Sequence, residues 1–258
     1  MRNWQKNVGE GGFLIVLVVA ALAGCDRENG RTRAGAGAQT ASSRAAGTPI
    51  GTGTGVIRGT VKYAGAKPQL KPTQRDCHPG GPQVVIPDES IVINADGTLK
   101  NAVVFLKTPP AGGIPQKPPV VDQKNCVYVP HVVAVQTGQA VKFTSGDPVL
   151  HNVHVLPNPN GEYNQGISQG DSRSYPVDSP GFMKVTCDVH PWMVCRVAAF
   201  DHPFFDVTGT DGTFEFRNLP PGAYTVALWH EKLGQSSQDV VVTNDKPADV
   251  AFTMSPRK

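Results

Sequence analysis

The sequence has little charge, no long helical pattern and no apolar stretch long enough to span a membrane. Charged residues make up 17% of the 258 residues, and the net charge is only +3. A typical domain has about 25% charged residues, so a basic nucleic-acid-binding face and a highly charged disordered chain are both excluded. The 23 prolines argue against helical bundles, because proline breaks helix interiors. The apolar run at 13–23 is too short to cross a hydrocarbon core of about 30 Å.

The sequence is instead rich in residues that make turns between short strands. Gly and Pro together, 28 and 23 residues, form about a fifth of the chain. Segments with many β-branched and apolar residues recur between these turns and are predicted to be strands, at 56–63, 90–94, 101–107, 126–135, 140–144, 151–156, 183–187, 214–216, 223–229, 240–243 and 248–254. Asp96-Gly97 between two such segments is a hairpin signal. The pattern predicts an all-β fold built of β-sandwiches.

The N-terminus has the pattern of an export signal. Arg2 and Lys6 precede the apolar run, which ends in Leu-Ala-Gly-Cys at 22–25. This ending resembles the lipobox of bacterial lipoproteins, which implies cleavage after residue 24 and acylation of Cys25. Residues 25–54 are small and polar, so we predict a flexible tether there. The chain is then exported and lipid-anchored to a bacterial membrane, facing the periplasm or the cell exterior; an ordinary secretory signal is the alternative.

Four side chains of metal-ligand type carry the chemistry of the sequence. Cys187, His190 and Met193 lie on one short segment, and His151 lies upstream. A thiolate, two imidazoles and a weak axial thioether are the ligands of a blue-copper site, because soft sulfur ligands suit Cu(I) and imidazoles suit copper in general. His154 is not expected to join them, since positions 151 and 154 of a strand face opposite sides.

The segment from residue 120 to about residue 200 resembles the cupredoxins, and among them the amicyanins. The resemblance is carried by VAVQTGQAVKF at 133–143, HNVH at 151–154, GFMKVTC at 181–187 and HPWM at 190–193. It implies a Greek-key β-sandwich with one mononuclear type 1 copper site. By position, the implied ligands are His151, Cys187, His190 and Met193.

The same resemblance implies supporting roles for nearby residues. Asn152 is expected to tie the two ligand loops together and to donate a hydrogen bond toward the thiolate. The edge of His190, together with Pro191, Trp192 and Phe182, is expected to form the port through which electrons pass. Trp192 and Phe182 fit plain core positions equally well.

The sequence departs from the copper oxidases at two places. Multicopper oxidases flank the cysteine ligand with histidines, whereas Thr186 and Asp188 flank Cys187 here. A dinuclear copper centre needs a second cysteine four positions earlier, where this chain has Met183. These departures predict that the protein is not an enzyme.

Three of the five cysteines remain once Cys25 and Cys187 have roles. Export places the chain in an oxidising compartment, which favours disulfides. Cys77 and Cys126 are the expected pair, and Cys195 is then an odd thiol. The alternative bridge, between Cys187 and Cys195, would destroy the copper site.

The C-terminal segment resembles the carboxypeptidase-regulatory-like domains, which are transthyretin-type (prealbumin-like) β-sandwiches. TDGTF at 210–214 and NLPPGAY at 218–224 carry this resemblance, and GVIRGTV at 55–61 fits the first strand of such a domain. Residues 203–258 alone offer too few strands for a sandwich. We therefore predict one sandwich from 55–115 and 203–258, with the cupredoxin at 118–202 inserted between them. Two domains in series, with 55–115 as extra cupredoxin strands, is the alternative.

These features predict a membrane-anchored type 1 copper protein that carries single electrons between periplasmic or cell-surface redox partners. The expected cofactor is one copper ion. The expected partners are a redox protein, such as a cytochrome or a dehydrogenase, and the membrane, without nucleic acid. Two alternatives stay open. One is a copper-binding module for storage, delivery or sensing, and the other is a structural or carbohydrate-binding surface lipoprotein without metal.

Overall fold

The computed structural model describes residues 53–113 and 115–256. The predicted signal, Cys25 and nearly all of the predicted tether lie outside the described residues. The regular structure of the described part consists of 20 β-strands. Within that part, no helix has the length and hydropathy that a membrane span requires.

The strands follow one another in three groups along the chain. The first group is β1 (Gly55–Tyr63), β2 (Thr73–Asp76), β3 (Gln83–Ile86), β4 (Val92–Ile93), β5 (Leu99–Lys100) and β6 (Val103–Leu106). The second is β7 (Val120–Lys124), β8 (Val127–Val129), β9 (Val132–Gln136), β10 (Gln139–Ser145), β11 (His151–Val155), β12 (Tyr163–Ile167), β13 (Ser172–Val177), β14 (Gly181–Thr186) and β15 (Val194–Phe200). The third is β16 (Phe205–Val207), β17 (Thr213–Leu219), β18 (Gly222–His230), β19 (Gly234–Val242) and β20 (Ala248–Met254).

The second group forms one β-sandwich. Its sheets have the strand orders β13-β10-β7-β8 and β12-β11-β14-β15-β9. β7 runs parallel to β10, and β9 runs parallel to β15, so the chain makes crossovers as well as hairpins. Alternate residues point inward, such as Val141 and Phe143 of β10 and Met183 and Val185 of β14. They meet in one apolar core between the sheets.

The first and third groups share a second sandwich. Its sheets have the orders β17-β1-β20 and β16-β6-β18-β19. β1 therefore lies between two strands that come after the first sandwich in sequence, and β6 likewise pairs with β16 and β18. The two sandwiches are interleaved in the chain and not arranged in series. The core residues of the second sandwich are separate from those of the first sandwich.

β6 has a buried side chain on both of its faces. Val104 and Leu106 point into the core of the second sandwich. Val103 and Phe105 point the other way and meet Phe200 of the first sandwich, with the Phe105 and Phe200 ring centroids 4.7 Å apart. The near-continuous apolar sequence of β6 follows from this two-sided burial. The described residues accordingly fall within a single compact unit.

One hairpin of the 55–115 segment does not belong to the second sandwich. β2 and β3 pair only with each other among the described strands. Ile86, Val84 and Cys77 of this hairpin pack against the core of the first sandwich. The prediction that all of 55–115 joins the second sandwich is wrong for these residues, because their few apolar side chains face the other core. We call residues 73–86 the strap.

Candidate metal centre

The fold brings the predicted ligands together at one end of the first sandwich. His151 begins β11, Cys187 follows the last residue of β14, and His190 and Met193 lie in the loop before β15. β11 and β14 are antiparallel neighbours with His154 opposite Thr186. The start of β11 therefore lies beside the end of β14, which places His151 next to the 187–193 loop. All four side chains are buried.

The loop from 187 to 193 is closed by its own backbone. The N–H of Met193 donates to the carbonyl of His190 at 2.9 Å, and the N–H of Cys187 donates to the carbonyl of Met193 at 3.3 Å. The side chain of Met193 is fully buried in the same core cluster as Cys187. A short loop with internal hydrogen bonds holds its side chains in fixed positions.

Three ligand atoms converge on one point. Nδ1 of His151 lies 2.9 Å from Nδ1 of His190. Sγ of Cys187 lies 4.0 Å from the first of these nitrogens and 3.7 Å from the second. A cation on arms of about 2.0–2.3 Å would set such donors roughly 3.5–3.8 Å apart in a trigonal plane. The two sulfur–nitrogen distances are close to that range, whereas the nitrogen–nitrogen distance is shorter. Since all three donors face one point, the residues present fit a metal ion.

The outer nitrogens of both imidazoles are occupied by oxygen acceptors. Nε2 of His190 donates to the carbonyl of Cys77 at 2.8 Å, and Nε2 of His151 donates to a carboxylate oxygen of Asp147 at 3.0 Å. A neutral imidazole that donates from one nitrogen presents a lone pair on the other. Both Nδ1 lone pairs therefore face the centre, as metal ligation requires.

Asp147 was not foreseen from the sequence, and it organises one side of the centre. Its side chain is buried and also accepts the backbone N–H groups of Asn125 at 2.6 Å and Cys126 at 2.8 Å. Burial lowers the pKa of His151, and the hydrogen bond to Asp147 opposes that shift. No sequence signal marks Asp147, because its role depends on partners from a different loop.

Tyr128 is a second buried residue that the sequence did not single out. Its hydroxyl lies 2.7 Å from the carbonyl oxygen of Asn152 and 2.9 Å from that of Thr186. These carbonyls belong to residues adjacent to His151 and Cys187. Tyr128 thus spans the two ligand-bearing strands from inside the core.

Asn152 ties the two ligand loops together, but it does so through Asp188. Its Oδ1 accepts the N–H of Asp188 at 2.6 Å. Its Nδ2 donates to Asn164 at 2.7 Å and to the Asp188 carboxylate at 2.8 Å. Both N–H donors of the side-chain amide are thereby used, so this amide makes no hydrogen bond to the Cys187 sulfur.

His154 faces away from the centre. Its Nδ1 contacts Asp188 at 2.7 Å and its Nε2 contacts Glu162 at 3.1 Å. The two carboxylates raise the pKa of His154 by hydrogen bonding, with that from Asp188 the larger effect.

The predicted electron port is wrong in two respects. His190 is only 4% exposed, because the strap lies over its Nε2 edge. Phe182 lies at the start of β14, five residues before Cys187, and stacks on Trp229 with ring centroids 4.6 Å apart. At about 3.3 Å per strand residue, Phe182 is well away from His190.

The other two residues of the predicted port lie in the ligand loop itself. Pro191 is exposed. The indole N–H of Trp192 donates to the carbonyl of Cys126 at 3.0 Å, and its ring centroid lies 5.3 Å from that of His190.

The four cysteines of the described residues form one disulfide and two thiols. Cys77 is bonded to Cys126, and Cys187 and Cys195 are free. The register of β14 and β15 sets Cys195 opposite Val185. Burial raises the pKa of the Cys195 thiol. The alternative bridge between Cys187 and Cys195 is not formed.

No protein-family model matches the chain, and no curated protein matches its sequence. Among solved structures, it is similar to amicyanin from Paracoccus versutus at 19% identity, over 38% of this chain and 97% of that one, with a TM-score of 0.31. It is similar to a purple cupredoxin from Nitrosopumilus maritimus at 22% identity, over 33% of this chain and 100% of that one, with a TM-score of 0.29.

A copper-containing nitrite reductase from Thermus scotoductus is also similar. The identity is 19%, the match covers 36% of this chain and 25% of that enzyme, and the TM-score is 0.31. The chain thus matches about a quarter of the length of the reductase. The prediction that the protein is not an enzyme is corrected by this finding, because an enzyme is among the similar proteins and the missing oxidase motifs do not exclude catalysis.

Proposed function

We propose that the protein is a type 1 copper protein that carries single electrons outside the cytoplasm. The observation that carries this proposal is the convergence of the two imidazole Nδ1 atoms and the cysteine sulfur, all three within 4.8 Å of one another, in a buried site. This donor set, with a methionine from the same loop, is the one that blue-copper sites use.

The residues of this chain fit that role by holding the donors still. Copper, when bound, supplies one-electron chemistry by alternating between Cu(I) and Cu(II). Asp147 and the Cys77 carbonyl orient the two imidazoles, and the hydrogen-bonded 187–193 loop holds the thiolate. Burial of the ligands keeps water from the centre. A site that needs little rearrangement between oxidation states transfers an electron readily.

The membrane attachment in this proposal is supported by the sequence alone. The Leu-Ala-Gly-Cys pattern at 22–25 implies acylation of Cys25, and residues 25–54 would be the tether. We propose that the centre faces the periplasm or the cell exterior, with a cytochrome or a dehydrogenase as its redox partner.

The optical spectrum of the copper-loaded chain tests the assignment. We expect an intense visible absorption from thiolate-to-copper charge transfer and one copper per chain. Cys187→Ser removes the thiolate, so the absorption should disappear. Cys195→Ser is the matched control, because Cys195 is also a buried free cysteine of the same core.

Absorption that survives in the Cys187→Ser variant would refute the ligand assignment. A chain that binds no copper but folds normally would instead favour the structural or carbohydrate-binding lipoprotein. Tight zinc binding without copper binding would make the centre a zinc site, since Cys and His also ligate zinc.

A second candidate function is a copper-binding module for storage, delivery or sensing. The covered edge of His190 favours this candidate, because an exposed ligand edge is absent where a redox partner would make contact. Slow electron self-exchange in the copper-loaded protein would support storage or delivery over electron carriage.

A further inference from the structure

The strap lies where a redox partner would have to approach His190. The carbonyl of Cys77 accepts the hydrogen bond from His190 Nε2 at 2.8 Å. The guanidinium carbon of Arg75 lies 5.8 Å from the ring centroid of Trp192, within cation–π range of the residue two positions after His190. The strap therefore covers both His190 and Trp192 of the ligand loop.

The strap is attached to the rest of the molecule by few contacts. All four residues of β2 are exposed, and in β3 only Ile86 is buried. Among the described strands, β2 and β3 form a two-stranded sheet that joins neither sandwich. An isolated two-stranded hairpin is marginally stable in water. The strap must therefore be held in place by the disulfide and by the contacts that its own residues make, namely those of Ile86, Val84, Arg75 and the Cys77 carbonyl.

A cleft flanks the strap and leaves one side of it unpacked. The cleft has a volume of about 360 Å³. Thr73 and Ile86 line it from the strap, and Tyr128, Trp192 and Met193 line it from the first sandwich. The strap has open space beside it, and Ile86 is the one buried residue of β3 that a movement of the strap would withdraw from the first core.

Among the described residues, the Cys77–Cys126 disulfide is the one side-chain cross-link between the strap and the first sandwich. Cys77 is partly exposed and Cys126 is fully buried in the core. The two sulfurs lie close to the centre, because they, a carboxylate oxygen of Asp147 and a ring nitrogen of His151 are all within 4.8 Å of one another. A cross-link over 49 residues strongly restricts how far the strap can depart.

We propose that the strap is a cover over the electron-exchange edge of His190, locked by the Cys77–Cys126 bond and released when that bond is reduced. This inference rests on the proposed function, because the edge of His190 exchanges electrons with a partner only in a protein that carries electrons. With the bond intact, a protein partner cannot reach His190. With the bond reduced, the strap keeps only weak contacts and exposes the edge.

The reductant in this step is a dithiol. Its thiolate attacks Sγ of Cys77, the more accessible sulfur, and Sγ of Cys126 leaves as a thiolate. The second thiol of the reductant then displaces Sγ of Cys77 and closes the reductant's own disulfide. Two electrons and two protons pass to the protein, which ends with two thiols.

The first test uses the full chain without metal. Hydrogen exchange of the 73–86 amides and carbethoxylation of His190 by diethyl pyrocarbonate are followed by peptide mass spectrometry. The oxidised chain is compared with the chain reduced by dithiothreitol and with the Cys77→Ser/Cys126→Ser double variant. Cys195→Ser is the matched control.

We expect both signals to rise by at least about tenfold in the reduced chain and in the double variant, as for release of a locally unfolding segment. The amides of β10 and β13 should keep their protection, which shows that the first sandwich stays folded. Slow strap exchange after reduction would overturn the lock. Fast strap exchange with no gain in His190 modification would overturn the cover.

The second test uses the copper-loaded chain. Its reduction by cytochrome c is compared with its reduction by ascorbate, which is small enough to need no docking surface. The ratio of the two rates should rise in the double variant and stay constant in Cys195→Ser. An unchanged ratio would overturn the control of partner access. If no copper binds, the proposed function fails, and the metal-free test still decides whether the strap is a releasable cover.

Discussion

At the level of single residues, the centre depends on which ring nitrogen of each imidazole carries the hydrogen. The Cys77 carbonyl can only accept, so it forces the hydrogen of His190 onto Nε2. Asp147 does the same for His151 and also accepts the N–H of Cys126. The two residues that orient the imidazoles are thus linked through the Cys77–Cys126 disulfide. Orientation of the ligands and attachment of the strap share the same few atoms.

His230 is a buried histidine that lies outside the centre. It is the last residue of β18, and its Nε2 is buried without a hydrogen-bond partner in the described structure. Burial lowers its pKa to about 4, while Glu231 acts to raise the pKa and His131 acts to lower it. Glu231 itself is held by His131 and Arg196.

We predict that His230 makes folding stability depend on pH between about 4 and 6.5. In this window the unfolded chain, with an ordinary histidine pKa near 6.5, binds more protons than the folded chain, so stability rises with pH. The contribution is fully present above pH 6.5 and is lost as pH falls toward 4, by about 3 kcal/mol in all.

Urea unfolding at a series of pH values measures this effect. The His230→Gln variant should have a flatter stability profile in the same window. His78→Asn is the control, because it removes a histidine whose side chain is exposed instead of buried. An equal slope in wild type and His230→Gln would contradict the prediction.

At the scale of elements, the sequence located most strands and misjudged where some begin and end. The hairpin predicted at Asp96-Gly97 joins β4 to β5, with Asp96 accepting the Thr98 N–H at 3.0 Å. The stretch 126–135, expected to be one strand, is divided into β8 and β9 by Pro130 and the residues around it. β12 and β13 were not foreseen, because their sequences are polar and only Ile167, Tyr175 and Val177 are buried.

The two sandwiches meet at a junction of aromatic side chains. Phe200 is the last residue of β15 and is buried against Phe105 and Phe205. Its ring centroid lies 4.7 Å from that of Phe105 and 5.2 Å from that of Phe205. We predict that Phe200→Ala lowers the free energy of unfolding by about 3–5 kcal/mol, since a large buried ring is replaced by a cavity.

Denaturant unfolding of the full chain measures this loss. Val241→Ala is the control on β19, since Val241 is 69% exposed and the change should stay within about 0.5 kcal/mol. A loss below about 1 kcal/mol in Phe200→Ala would mean that the junction contributes little to stability.

At the scale of the whole molecule, the second sandwich cannot form until both ends of the chain are present. β1 pairs with β17 and β20, and β6 pairs with β16 and β18. The first sandwich lies between these strands in sequence and contacts them through β6 and β18. Because Phe105, Phe200 and Trp229 pack across the junction, the centre is held on a rigid support and not on a free domain.

We predict that Cys25 is the first residue of the mature chain and that it is acylated. Mass spectrometry of the chain purified from membranes should find acyl groups on Cys25 and no residues before it. Cys25→Ser removes the acceptor, so the variant should carry no acyl chain and keep residues 1–24. Cys195→Ser should be processed and acylated as the wild type is. An unmodified N-terminus at another residue would favour an ordinary secretory signal.

The all-β class and most of the strands could be predicted from the sequence, and so could the meeting of His151, Cys187 and His190. The export signal stays a prediction, because it lies outside the described residues. These predictions follow from short-range patterns, in which residues a few positions apart share a strand, a turn or a loop. The folded structure was needed to show that the strap covers His190, that Asp147 orients His151 and that Phe182 lies at the junction. The physical reason is that these contacts join distant parts of the chain, as Cys77 and His190 do across 113 positions, and no local pattern encodes them.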